Sequence, residues 1–575
     1  MTPSHCSDAP RWRRVATAVV FTCALLHAAP GKAADLVLTG ARVYTVNPAQ
    51  PWASELAVED GRIVYVGEDA SAFVDPGTRV VNLDGRMILP GFQDAHAHPA
   101  SGGVKYTECP VFDLPDINAV LEGIRRCVQQ NPEATLIRGA GWSMDQFEAG
   151  QLPAKQMLDA IEATRALVFS DSDGHAMWLN SAALRRFNIT AETPDPEGGV
   201  IARMTGTQTP SGSILEEAMN LVMAQWPAYT DEEIEAGLRW AQDHYLALGV
   251  TAVQDAYVEL EGNSYYRSLP AWAALAESGD LKLRASLSLA WRAADGGQQL
   301  ETMKQLRARH SGERLRVDTI KFWADGVIET RTAMLLEPYT DQPDWHGLMM
   351  IPRRDLMKHV PLIDAAGFQA HIHAIGDATV RYALDAIEAA SARNGRRDAR
   401  HHINHLQFVH PDDIGRFRAL DVGASFEPYW FYYDGYIRKL TIPRVGPERM
   451  RNAYPVRSIL DTGARVAFSS DWSVSSADPL LGIETAVTHT DPHSNEGEVF
   501  LPEQRLSLDE AIAAYTIRAA ELNFLDQQTG SIEPGKLADI IILDKDLFAI
   551  PPGAISDSRV TATLIDGEVV YGALE

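Results

Sequence analysis

Eight short apolar stretches, most ending on a polar side chain and separated by amphipathic helical sequence, constrain this 575-residue chain more than any other feature. They fall at 87–98, 251–255, 283–291, 317–325, 368–373, 402–407, 422–427 and 465–471. Strands that alternate with helices build a parallel α/β fold, because each crossover helix covers a face of the sheet. Eight such units with functional groups at their strand ends predict a (β/α)8 TIM barrel, whose reactive groups gather on the C-terminal rim. An open doubly wound sheet would also accommodate the alternation, but no Gly-x-Gly-x-x-Gly follows the first strand.

The remaining length is assigned by its texture. β-branched runs at 36–40, 41–46 and 62–66, broken by Gly and Asp-Gly turns, read as antiparallel hairpins, and 539–543, 560–564 and 569–571 repeat the pattern. Together they predict a small composite β-sandwich domain over 35–90 plus 526–575, completed by both chain ends. The barrel then spans 91–525. Within it, the interval of about 100–235 is too long for one connection and reads as an inserted subdomain over the barrel mouth. Its strand-like pieces are 134–139 and 166–170, and its helix-like pieces 155–163 and 214–225.

Arg11, Arg13 and Arg14 precede an apolar run that ends near Ala29, and small residues follow, so 1–34 reads as a secretory signal peptide. The run is too short for a spanning anchor, so a periplasmic protein with no stable membrane anchor after cleavage is expected. The net charge of −26 repels nucleic acid and anionic lipid. Cys6 and Cys23 leave with the signal, and Cys109 and Cys127 remain as one bridge or as two buried thiols. With no Cys-x-x-Cys, a metal site must use imidazole, carboxylate or a modified side chain.

Such a site is suggested by Asp94-Ala95-His96-Ala97-His98 at the first strand end, where alternation aims both imidazoles to one side. His373, His405 and Asp471 also fall at strand ends. Their spacing fits the barrel: a βα unit takes roughly 31 residues, and His373 to His405 is 32 apart, His405 to Asp471 66. That places them on strands five, six and eight. Four His and one Asp suit a divalent cation, Zn²⁺ foremost, one or two per chain. Lys321 lies on strand four, where an unpaired charge is costly; it is either salt-bridged or neutralised as a CO₂ carbamate whose oxygens bridge two cations.

These motifs resemble the amidohydrolase superfamily, most closely amidohydrolase family 3, which includes N-substituted formamide deformylases. The resemblance extends over Pro90 to His98, Lys321 to Gly326 with Arg331-Thr332-Ala333, His373 to Asp377, His401 to Gln407, Ser469 to Trp472 and Gly530 to Asp539. It implies that His96 and His98 hold one metal, that His373 and His405 hold the second, that carboxylated Lys321 bridges them, and that Asp471 binds metal and carries the proton. Gly174-His175-Ala176 in the insertion matches as well, which brings His175 to the substrate. Glu329 competes with Lys321 as a ligand, while His371, His401 and His402 are supporting residues.

The reaction implied is hydrolysis of a non-peptide C–N bond in a small amide-like molecule by a metal-activated water, with Asp471 as base and His175 or Arg331 on the oxyanion. Ester, lactone or phosphoester hydrolysis is the near alternative, and a non-catalytic metal- or ligand-binding protein the distant one. Trp142, His175, Tyr429, Trp430 and Trp472 are the expected substrate contacts. The aromatic run 426–436 suggests an apolar pocket for an acyl or aryl amide. A homo-oligomer is compatible with the sequence.

Overall fold

The computed structural model describes residues 33–148, 151–196, 198–262, 264–494 and 497–574, so the leader expected over 1–34 falls almost wholly outside the described residues. Eight parallel strands follow one another around the centre: β1 Phe92–Ala97, β2 Val250–Val258, β3 Arg284–Ala290, β4 Leu315–Trp323, β5 Gln369–Ala374, β6 His402–His405, β7 Gly423–Phe426 and β8 Val466–Phe468. Main-chain bonds from Asp471 N–H to the His96 carbonyl (2.9 Å) and from His98 N–H to the Trp472 carbonyl (2.7 Å) join the last strand end to the first. The barrel closes at its reactive rim. Along β4, Ile320 and Phe322 join the apolar layer while Lys321 shares its register position with His371 of β5.

One expected strand is two. Met87–Pro90 pairs antiparallel with Ile540–Leu543, and β1 begins only at Phe92. Gly91 between them passes so close to β2 that a Cβ there would lie 2.4 Å from the Thr251 side chain.

The two chain ends build two sheets. One is four-stranded, in the order Arg62–Gly67, Glu55–Glu59, Leu36–Thr39 and Arg79–Asn82. The other is six-stranded and unites Glu568–Gly572, Val560–Ile565 and Ile540–Leu543 with Met87–Pro90, Arg42–Tyr44 and Trp52–Ala53. Leu38, Leu56, Val43, Ile540 and Leu564 share their common core. The runs 36–40 and 41–46 do not form a hairpin with each other, because Gly40, at φ +60°, sends the chain from one sheet to the other. Both runs instead gain a parallel neighbour as well as an antiparallel one. Arg284, 2% exposed at the start of β3, ties this region to the barrel through Asp539 (2.6 and 3.0 Å). Removing Arg284 would leave the Asp539 carboxylate buried and unpaired, at a cost of about 3–5 kcal/mol.

The insertion is a five-stranded sheet in the order Gly199–Arg203, Pro210–Glu216, Ala176–Leu179, Ala166–Asp171 and Leu136–Trp142. Residues 214–225, expected as helix, finish a strand and then form two short helical turns. Ile214, Ala218 and Val222 are all buried in one cluster, so a four-residue apolar spacing arises here without one continuous helix. Cys109 and Cys127 are disulfide-bonded, with Cα atoms 5.8 Å apart. Among the described residues no helix is long and apolar enough to cross a membrane.

Candidate metal centre

The barrel rim gathers imidazoles. Ring centres lie 5.4 Å apart for His96 and His98, 4.8 Å for His96 and His405, and 4.5 Å for His373 and His405. His96 sits on β1, and His98 is the residue from which helix α1, Pro99–Thr107, starts. Asp94 fixes this corner to β8, accepting from the Ser470 N–H at 3.0 Å and from the His96 N–H at 3.2 Å. Two of the gathered residues hold left-handed backbone, His405 at φ 75° and Asp471 at φ 53°, strain of a kind that persists where surrounding structure enforces it.

Asp471 Oδ1 stands 3.3 Å from His96 Nε2 and 3.2 Å from His98 Nε2. These three donor atoms lie within 4.8 Å of one another. Burial alone would raise the Asp471 pKa, but His96 and His98 hold it well below the usual carboxylate range. Burial, and after it the nearby Lys321, pushes His96 far below the ordinary histidine value and keeps it neutral. His96 Nδ1 meets His371 Nε2 at 2.8 Å, and His371 Nδ1 meets Ser288 Oγ at 2.9 Å. His96 Nδ1 thus belongs to the His371–Ser288 chain, and His96 Nε2 is the ring atom that faces Asp471. Two imidazoles, that of His96 neutral, sharing one ionised carboxylate form a donor set that suits a divalent cation.

The second group is arranged differently. His373 Nε2 lies 3.5 Å from Asp325 Oδ1, and His405 Nδ1 lies 3.1 Å from Glu427 Oε2. The latter pair is close but misaligned, so among the described residues both buried atoms lack a hydrogen-bond partner. Lys321, 3% exposed, touches His371 Nε2 at 3.3 Å, and burial brings its pKa down to about 7. Glu329 accepts from the Thr441 hydroxyl at 2.8 Å on the wall above.

His96, His98, Lys321, His373, His405 and Asp471 form one end of a cavity of about 390 Å³ between the rim and the insertion. His175 reaches it from a turn in which the Asp171 carboxylate accepts from the Gly174 and Ala176 N–H groups at 2.9 and 3.0 Å. Burial works against the His175 charge, but Glu216 at 2.9 Å, helped by Asp171 and Asp173, raises its pKa to about 10. Tyr429 and Trp430 also line the cavity, Trp430 stacked over His405 at 5.8 Å. The aromatic run does line the cavity, through Tyr429, Trp430 and Tyr436, and it shares the wall with carboxylates. Asp113, Asp145, Asp173, Glu329 and Asp434 face the cavity, none with a salt bridge among the described residues.

Three expected residues are elsewhere. Arg331 is bound to Asp341 (3.0 and 2.5 Å), outside the lining. Trp142, fully buried, donates to the Phe169 carbonyl at 2.8 Å within the insertion core. Trp472 is 1% exposed and stacks on Tyr106 behind the rim. His401 binds Asp364 at 3.2 Å away from the cavity, and the His402 ring packs against His371 beneath it, tilted by 42°. Conversely, the strand-end carboxylates Asp325 and Glu427, the Glu216 partner of His175, and Lys105 of α1 belong to the site though no role was assigned to them from the sequence.

Residues 79–571 match the model of the amidohydrolase family. Protein LONG AFTER FAR-RED 3 of Arabidopsis thaliana is 31% identical, over 94% of this chain and 92% of its own length. N-substituted formamide deformylase of Arthrobacter pascens is 26% identical, over 93% and 98%. Among solved structures, an uncharacterized metal-dependent hydrolase from Pyrococcus horikoshii OT3 superposes with a TM-score of 0.70 at 25% identity, over 90% of this chain and 99% of that one.

Proposed function

The chain belongs to the amidohydrolase family and is a metal-dependent hydrolase of carbon–nitrogen bonds, and from that premise we propose that it cleaves a non-peptide amide or N-acyl bond of a small molecule outside the cytoplasm. The observation that carries this reading is the convergence of His96, His98 and Asp471 beneath the cavity. His96 and His98 would hold one Zn²⁺, His373 and His405 a second, and a carbamate on Lys321 would supply the bridging oxygens that the unmodified side chains lack. When bound, such a cation supplies Lewis acidity toward a carbonyl oxygen and toward water.

The chain's own groups do the rest. Asp471, ionised beside His96 and His98, accepts the proton of the attacking water and returns it to the leaving nitrogen. His371 holds the His96 ring in place from below. The insertion shields the reaction from bulk water and presents the cationic His175 to the substrate. Export is supported by the leader-like sequence 1–34 and by the Cys109–Cys127 bridge, since structural disulfides persist in oxidising compartments.

The test is metal analysis of the purified mature chain, with turnover of a panel of N-formyl and N-acyl amines before and after chelation. Activity should disappear with the metal and return with Zn²⁺. Undiminished hydrolysis by fully metal-free protein would sink the reading.

A further inference from the structure

Lys105 is 6% exposed, lines the cavity, and among the described residues has no acceptor or carboxylate within bonding distance of its ammonium; its nearest recorded contact is the Tyr265 ring centre at 5.9 Å. An ammonium that faces the cavity with no acceptor of its own becomes costly to leave unpaired once a ligand displaces the water there, so Lys105 faces something the cavity is built to receive. Burial lowers its pKa, while Asp171, Asp471 and Asp173 oppose the fall from a distance.

The helix fixes where it points. His98, Ser101 and Lys105 stand one turn apart on the same face of α1, and all three line the cavity. Helical side chains lean toward the helix N-terminus, so Lys105 leans toward His98 and the Asp471 cluster. The helix has no freedom to withdraw, because a Cβ on Gly103 would lie 1.9 Å from the Gly237 carbonyl and one on Gly102 would lie 2.4 Å from the Trp472 ring. With Arg331 tied to Asp341, the cations left facing the substrate beside the metal residues are Lys105 and the Glu216-paired His175.

We propose that Lys105 is a catalytic residue that donates N–H to the substrate's acyl oxygen and stabilises the negative charge developing there. This rests on the amide-hydrolysis reading. Water oxygen bonds to the acyl carbon, the C–N bond breaks, and the water's proton passes through Asp471 to the nitrogen. Lys105 keeps all its protons and releases the oxygen as the carbonyl re-forms.

The experiment compares Zn²⁺-loaded wild type with Lys105→Met, Lys105→Arg, and Lys105→Cys alkylated by 2-bromoethylamine to rebuild an ammonium. In the mature chain Cys109 and Cys127 are bridged, so the new thiol alone reacts. Lys105→Met should keep its metal and its unfolding transition yet lose about a hundredfold in kcat on N-formylbenzylamine with KM within about threefold, the order expected for one oxyanion donor. Alkylation should restore most of the loss. Butyrate, an acyl product, should bind the Co²⁺-loaded Lys105→Met protein at least about tenfold more weakly by its visible spectrum and by calorimetry. Should Lys105→Met misfold, the alkylated and unalkylated Lys105→Cys proteins give the same comparison. If wild type cleaves no amide but butyrate discriminates as stated, amide hydrolysis fails while the oxygen contact of Lys105 stands. A kcat within threefold of wild type, a loss confined to KM, or equal butyrate binding overturns the proposal.

Discussion

The two halves of the rim use the same side chain in opposite ways. On the β1 and β8 side, two imidazoles share one carboxylate oxygen at 3.2 and 3.3 Å, and the site is assembled by the main-chain bonds that close the barrel. On the β5 and β6 side, His373 and His405 each face a separate carboxylate, Asp325 and Glu427, and Lys321 is turned to His371. The first half is complete in genetically encoded atoms. The second has its imidazoles and an outer pair of carboxylates, and among the described residues no further carboxylate pairs with those imidazoles. A lysine carbamate supplies that kind of group, which is why the halves should fail differently.

Asp471→Asn should be the most damaging change, because it removes both the shared oxygen and the proton carrier. We expect kcat to fall by about a thousandfold or more and bound metal to drop, measured by turnover and elemental analysis. Retention of a tenth of the activity would remove the first half from its leading position. Lys321→Ala should leave one metal ion of two and cost about a hundredfold in rate, as losing a Lewis-acid contact worth several kcal/mol implies. Short carboxylic acids should restore part of it. Two ions still bound to that variant would break the comparison and turn attention to Glu329. Glu427→Gln should act more gently, weakening the His405-side metal by about tenfold, the lower range for an outer-sphere partner, and leaving the other ion in place. A competitive chelator titration would resolve the two.

The imidazoles of both halves were legible. A His-x-His at a strand end is visible as alternation, and the 32- and 66-residue intervals to the later ligands follow from the barrel repeat. Asp325, though inside the Lys321 to Gly326 motif, and Glu427 drew notice only as the last residues of their predicted strands, since a single acidic strand end has no spacing to recommend it. Lys105 gave no signal, because a lysine on a surface-type helix normally reaches solvent and only the lid above α1 makes it a buried one. Trp142 and Trp472 were misread by adjacency. Each neighbours cavity residues, Gly141 and Ser143 in one case and Asp471 and Ser473 in the other, yet its own side chain turns away into packing. Arg331 adopts φ 62° in a turn whose direction no local pattern encodes, and Asp341 captures it there.

The smallest expected effect separates the halves by pH alone. His96 is already neutral well above its depressed pKa, so its own protonation should not limit loading of the first half between pH 6 and pH 8. Lys321 titrates near 7 because burial disfavours its charged form. As pH falls below that value the amine becomes an ammonium, which neither reacts with CO₂ nor tolerates adjacent cations. About a tenth of it is neutral at pH 6 and about nine tenths at pH 8. In bicarbonate buffer the bound metal should therefore rise from about one ion to about two across this interval, while Lys321→Ala stays at one throughout. A stoichiometry that rises equally in the variant would place the titration on another group and leave the second half without its bridge.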